Sequence, residues 1–267
     1  MSLTAEQREE AARSLFAAER DRAWIDPLTV TYPGIDIEDA YRISMLVTER
    51  KVAAGRRVVG HKIGLTSLAM RELVGADEPD YGTLFDDWLV PEGSRIPFEQ
   101  LNRARVEIEL AFVLGAPLDG PRPTAVDVIR ATDFVLPAME IVDSRFRVRG
   151  TVVDSIADAA TCGGVVLGAH PVRLGDIDVR EVAGCLEVNG EVVERGTASA
   201  SMGSPVNAVA WLAGKLHAFG VGLAPGDIVL SGSFVRAPWI SAGDELVARF
   251  AGCGSVAVSV GPDGGAR

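Results

Sequence analysis

From Arg57 onward the chain is a run of short β-like segments parted by glycine and proline, and no other feature of the 267 residues restricts the fold as much. Candidate strands fall at 58–63, 106–114, 134–142, 162–167, 185–188, 227–231, 245–250 and 255–260. One helical stretch stands among them, 205–219, with Pro205 in its first turn and Gly220 behind it. A doubly wound parallel sheet needs a helical pattern of roughly 10–15 residues between successive strands. The spacing therefore predicts an α+β fold with a mixed or antiparallel β-core. Asn189 and Gly190, set between 186–188 and 192–193, predict a hairpin, because both central positions of such a turn require positive φ.

The first 57 residues have a different texture. Thr4 and Gln7 have the spacing of a capping box, and Ala, Glu and Arg dominate through Arg20. Pro27, Pro33 and Gly34 break the pattern. Asp36 then caps a second helix, in which Ala40, Ile43, Val47 and Ala54 lie near one face and Gly55 suits the end. The expected organisation is a helical layer over 1–57, a β-rich catalytic domain over 58–262 and a tail over 263–267, with fraying from Gly261.

Composition narrows the function. Hydrophobic residues make up 48% of the chain, enough for a full core. A net charge of −11 and a pI of about 4.8, with no Lys/Arg cluster, argue against a nucleic-acid partner. Such a protein must concentrate positive charge locally to handle an anionic substrate, through a metal or a few arginines. Cys162, Cys185 and Cys253 form no C-x-x-C pair, which disfavours a disulfide framework or a zinc ribbon. The charged start lacks the apolar stretch of a secretory signal, and no apolar run reaches the roughly 18–20 residues of a membrane span. A soluble, cytoplasmic protein is expected.

The segment RVEIELAFVL at 105–114 bears most on chemistry. With a period of two, Val106, Ile108, Leu110, Phe112 and Leu114 make one wholly apolar face, and Glu107, Glu109, Ala111 and Val113 make the other. Carboxylates two residues apart, roughly 6.5–7 Å at Cα, can converge on one cation. The competing reading is a solvated strand face. Glu140 lies in an otherwise apolar run, LPAMEIV at 136–142, where a carboxylate is costly unless it is paired or bound to a metal. Arg145 is one possible partner. Three glutamates on two core-like strands point to an all-oxygen site suited to Mg²⁺ or Mn²⁺ rather than zinc.

Lys62 lies inside a predicted strand, either as a functional ammonium or as an edge-strand gatekeeper. The segment around Asp80, 77–84, reads as a turn. No phosphate-binding loop or nucleophile elbow occurs. GCGSVA at 252–257 formally fits a dinucleotide fingerprint but leads into a strand, so it is rejected. The histidines at 61, 170 and 217 are scattered.

Five segments in one order carry a resemblance: GHKIGLTS at 60–67, EPDYGTL at 78–84, RVEIELAF at 105–112, LPAMEIVDSR at 136–145 and PVNAVAWLA at 205–213. Together they resemble the 2-hydroxypenta-2,4-dienoate hydratase group of the fumarylacetoacetate hydrolase superfamily. That group also holds 2-oxohepta-4-ene-1,7-dioate hydratase and 4-oxalocrotonate decarboxylase. The likeness runs from about residue 36 to 260.

The resemblance implies a distorted mixed β-roll with peripheral N-terminal helices, assembled as a pentamer-based homo-oligomer. It implies that Glu107, Glu109 and Glu140 ligate Mg²⁺ or Mn²⁺, and that Lys62 and Asp80 transfer protons. Leu65, Thr66, Ser67, Arg145 and Ser233 would contact substrate. GSFVR at 232–236 is similar to a segment in hydratases of dicarboxylic substrates, so Arg236 either binds a distal carboxylate or is a surface loop residue.

The implied activity is hydration of a 2-hydroxy-2,4-dienoate, of the pentadienoate or 2-oxohept-4-ene-1,7-dioate type, to a 4-hydroxy-2-oxo acid in aromatic catabolism. The alternatives are 4-oxalocrotonate decarboxylation and a weakly active structural partner associated with a paralogous pathway enzyme. Hydrolytic C–C cleavage fits less well, because the hydrolases generally use Asp at the third metal position. Two departures stand out: Ala159 where the group often has Asn, and Ser204 where His commonly precedes the helix proline.

Overall fold

The computed structural model describes residues 2–261. Three helices come first: α1 (Ala5–Asp21), α2 (Leu28–Thr31) and α3 (Ile37–Ala53). Both expected caps form, with Thr4 and Gln7 exchanging hydrogen bonds at α1 and Asp36 and Asp39 doing the same at α3. α1 packs on α3, and α3 lies on α6 (Val152–Ala157).

Twelve strands follow, with short helices between them. They are β1 (Val58–Gly64), β2 (Asp80–Phe85), β3 (Leu89–Val90), β4 (Arg95–Pro97), β5 (Arg105–Leu114), β6 (Thr132–Val142), β7 (Cys162–Leu167), β8 (Ala183–Val188), β9 (Glu191–Thr197), β10 (Ile228–Leu230), β11 (Glu245–Phe250) and β12 (Gly254–Gly261). The remaining helices are α4 (Leu68–Val74), α5 (Ala125–Ala131) and α7 (Pro205–His217).

One sheet runs in the order β2-β1-β10-β5-β6-β7-β3 and the other β4-β12-β11-β8-β9. Pairing is antiparallel except at β1/β10, β3/β7 and β12/β4, so the core is mixed, as expected. The hairpin at Asn189 and Gly190 is present, with φ of 54° and 84°. Gly261, expected in the tail, pairs with Pro97 at the end of β12, and the rest of the tail, 262–267, lies outside the described residues.

Segment 77–84 departs from expectation, since Asp80–Phe85 is a fully buried strand paired antiparallel with β1. Its turn-like residues have other duties. Pro79 precedes the strand, and a Cβ on Gly82 would lie 1.9 Å from the Ala159 carbonyl oxygen, so glycine serves close packing there.

β5 lies between β10 and β6, and the alternation seen in sequence holds through its length. Val106, Ile108, Leu110, Phe112 and Leu114 are all in the main core. Burial of such side chains contributes about 1.5–3 kcal/mol each. A slip of one residue would turn all five over. That sum fixes the register, and the register forces Glu107 and Glu109 onto the opposite face.

Candidate active site

The opposite face is also covered. Leu84, Ala111, Ala138, Cys162, Val165 and Leu230 form a second apolar cluster there. Glu109 and Glu140 sit in that surround with 0% exposure, while Glu107 is partly exposed, so the solvated-face reading does not hold. Glu107 faces Glu140 directly across the β5/β6 pairing, and Glu109 faces Ala138 one step along. The three carboxylates bring oxygens within 4.8 Å of one another.

Their hydrogen bonding is incomplete. Glu109 Oε2 accepts from the Gly232 amide at 2.6 Å, but its Oε1 and both oxygens of Glu140 have no hydrogen-bond partner. Burial and then mutual repulsion push Glu109 well above the usual carboxylate range. Burial raises Glu140 as well, against the pull of Lys62. Desolvation and the Glu140 charge bring Glu107 up to about 7. Buried carboxylates with unmade bonds cost several kcal/mol each unless a countercharge is supplied. Convergent oxygens of this kind fit a hard divalent cation.

Lys62 projects from β1 onto the same face. β1 is flanked by β2 and β10, so Lys62 is not an edge-strand gatekeeper. Its Nζ lies 3.1 Å from Glu140 Oε1, an ion-pair distance without hydrogen-bond alignment, and donates to the Ala160 carbonyl at 2.9 Å. Burial works against the ammonium, but Glu140, Asp80 and Glu107 outweigh it and hold the group above its ordinary value. Asp80, opposite Gly64 in the β1/β2 pairing, is buried with Oδ1 unpartnered. Burial raises its pKa, and Lys62 offsets part of that. A Cβ on Gly64 would stand 2.1 Å from Asp80 Oδ1, so the glycine gives this carboxylate its room.

Two backbone groups and one side chain near the cluster leave no trace in the sequence pattern. Ala159, Ala160 and Thr161 form a single left-handed turn, with φ of 49°, 50° and 58°. Such backbone costs roughly 1–2 kcal/mol per residue, and here it aims the Ala160 carbonyl at Lys62. Asn tolerates this conformation better than Ala, which gives the departure at Ala159 a backbone meaning. Backbone groups carry no identity signal, so the roles of the Ala160 carbonyl and the Gly232 amide were not legible. Ser155, whose Oγ donates to Asp80 Oδ2 at 3.5 Å, was missed as well.

The expected substrate contacts divide. Thr66 is buried, and a Cβ on Gly232 would meet its Cγ2 at 2.3 Å, so the 65–67 loop abuts the residue that holds Glu109. Leu65 has φ of 55°, and Arg71 Nη1 binds the carbonyls of Leu65 and Thr66. Ser67 stands at the N-terminal end of α4. Ser233 closes a local turn through Val235.

Arg145 is a correction. It does not partner Glu140, since its guanidinium nitrogens bind Asp158 and the Cys162 carbonyl in a buried ion pair. Arg145→Met should destabilise the fold by about 3–5 kcal/mol, read from urea unfolding, because Asp158 is left buried and unpaired. Arg236 has the exposure of the surface-loop alternative. Its side chain is 87% exposed and pairs with Glu194 of β9 at 3.3 Å.

Residues 62–261 match the family model "Fumarylacetoacetate (FAA) hydrolase C-terminal". The chain belongs to the fumarylacetoacetate hydrolase family. Within that family it is 42% identical to 2-keto-4-pentenoate hydratase of Paraburkholderia xenovorans (strain LB400), over 95% of each chain. It is equally 42% identical to 2-oxo-hept-4-ene-1,7-dioate hydratase of Escherichia coli, covering 92% of this chain and 94% of that one. The solved 4-oxalocrotonate decarboxylase of Pseudomonas putida G7, complexed with magnesium and adipate, superposes with a TM-score of 0.94 at 34% identity, covering 97% of this chain and 98% of the other. The fumarylacetoacetate hydrolase fold expected from sequence is thus the fold observed.

Proposed function

We propose that this chain is a hydratase that converts a 2-hydroxy-2,4-dienoate to a 4-hydroxy-2-oxo acid, with Mg²⁺ or Mn²⁺ held by Glu107, Glu109 and Glu140. The carrying observation is the buried carboxylate trio with unpartnered oxygens beside a buried lysine and a buried aspartate. The hydratase relatives at 42% identity support hydration over decarboxylation, and the magnesium complex of the structural relative supports the cation. When bound, the cation acts as a Lewis acid that stabilises negative charge on a chelating 2-oxo acid.

The chain's own residues supply the proton handling. The reaction requires the C2 hydroxyl proton to leave and a proton to arrive at C5, giving an enone. Water then adds its oxygen at C4 and a proton at C3. Lys62, kept as the ammonium, donates from Nζ. Asp80, raised by burial and free at Oδ1, accepts and returns a proton. The apolar cluster of Leu84, Ala138, Val165 and Leu230 limits water around them.

Decarboxylation is the second reading, favoured by the structural likeness to 4-oxalocrotonate decarboxylase. Incubating the Mg²⁺-loaded protein with 2-hydroxypentadienoate, its dicarboxylic homologue and 4-oxalocrotonate separates the two. Dienol consumption without CO₂ supports the hydratase, CO₂ release the decarboxylase, and no turnover the non-catalytic partner. We also read the protein as a cytoplasmic, pentamer-based homo-oligomer, to be checked by light scattering. Among the described residues no helix is long and apolar enough to cross a membrane.

Buried carboxylates set a pH dependence. Glu107 moves from the ordinary 4.5 to about 7, and burial takes Asp158 from 3.8 to about 6. The folded state thus binds more protons than the unfolded one across that window, so stability falls as pH rises through it. In chelator the urea midpoint should be higher at about pH 5 than at about pH 7.5. Added Mg²⁺ should reverse the order, because it favours the ionised carboxylates.

A further inference from the structure

The cluster opens at one end. Glu109 and Glu140 are completely buried and Glu107 is partly exposed, so the way in lies toward the start of β5. Arg105 is the next residue on that face, two before Glu107. Its cross-strand neighbour on one side is Trp239, joined by an isolated bridge that the bonds from Val106 N to Pro238 O and from Ile240 N to Ala104 O extend. Trp239 is 59% exposed. The Arg105 guanidinium lies 5.2 Å from its ring centre and that of Arg103 lies 5.7 Å away.

A guanidinium held over an aromatic face keeps N–H donors for a carboxylate, which it can take through two parallel bonds. Among the described residues Arg105 makes no ion pair, whereas Arg236 pairs with Glu194. Arg105 precedes Glu107 on the same strand face by roughly 6.5–7 Å at Cα, so a long side chain there can reach the far end of a substrate anchored at the glutamates.

We propose that Arg105, stacked on Trp239, is a subsite for a second carboxylate at the far end of the substrate, so that the preferred substrate is a dicarboxylic acid. This specificity rests on the reading of the glutamates as the anchor for the 2-oxo acid end. Arg105 binds the distal group and takes no part in proton transfer.

The test is calorimetric binding of 2-oxoadipate and 2-oxohexanoate to the Mg²⁺-loaded full chain, which needs no turnover. Wild-type protein is expected to bind the dicarboxylate at least about tenfold more tightly. R105Q should bring the two Kd values within about threefold, and R236Q should keep the wild-type difference. If R105Q folds poorly by circular dichroism, Trp239→Leu, on an exposed side chain, should reduce the same difference. Equal affinities in the wild type, binding of neither acid, or a preference that survives in R105Q overturns the subsite. A chain that prefers the dicarboxylate yet forms no hydrated product would keep the subsite and fail the hydratase reading.

Discussion

In E109Q, dienoate turnover falls by at least about 10²–10³-fold, and Mg²⁺ no longer raises the thermal midpoint. The substitution keeps the shape of the side chain and its bond from the Gly232 amide, but removes one of three negative charges that converge within 4.8 Å. In chelator the same variant should melt at or above the wild type, because a carboxylate raised by burial and then by Glu140 and Glu107 gives way to a neutral amide. Loss of activity and gain of metal-free stability together are what a ligand cluster requires. A merely structural glutamate would lose both. Turnover in E109Q, or in exhaustively chelated wild type, would rule out the site.

Lys62→Met should separate chemistry from cation binding. Turnover is expected to fall by roughly 10²–10⁴-fold, the range for loss of a general acid. Affinity for Mg²⁺ should rise, since the ammonium 3.1 Å from Glu140 competes with the cation for the same negative charge. Both are measured on one preparation, by stopped-flow loss of dienol absorbance and by calorimetric metal titration. Near-wild-type kcat in K62M would remove Lys62 from the mechanism. Weaker metal binding would show instead that the lysine helps build the cluster.

Much of this site was legible before any fold was known, because β5 alternates with a period of two over 10 residues and its apolar set is continuous. Glu140 was conspicuous for the opposite reason, as one carboxylate in an apolar run. Asp80 was readable only through the family resemblance, since Pro79 and Gly82 look like turn residues. Gly82 is there because the Ala159 carbonyl presses on it, a contact made across 77 residues that no local pattern encodes.

The charged residues divide along the same line. Lys62 read equally as a site residue or a gatekeeper until β10 arrived beside it from far along the chain. Arg145 and Arg236 are the right type of residue for an anion, but Asp158 and Glu194 already hold them. Arg105, next to the glutamates in plain sequence, drew no attention because its stacking partner is Trp239, which only the pairing of 238–240 with the start of β5 brings near.

The amino-acid order by itself determined most of the strands, where α1 and α3 are capped, and that Glu107 and Glu109 share a face. These follow from backbone periodicity and nearest neighbours along the chain. Only the tertiary structure decided that Glu109 and Glu140 on this face are buried and which cations remain free to act there. Burial and ion pairing depend on partners drawn from distant strands, and a buried charge is defined by everything packed around it.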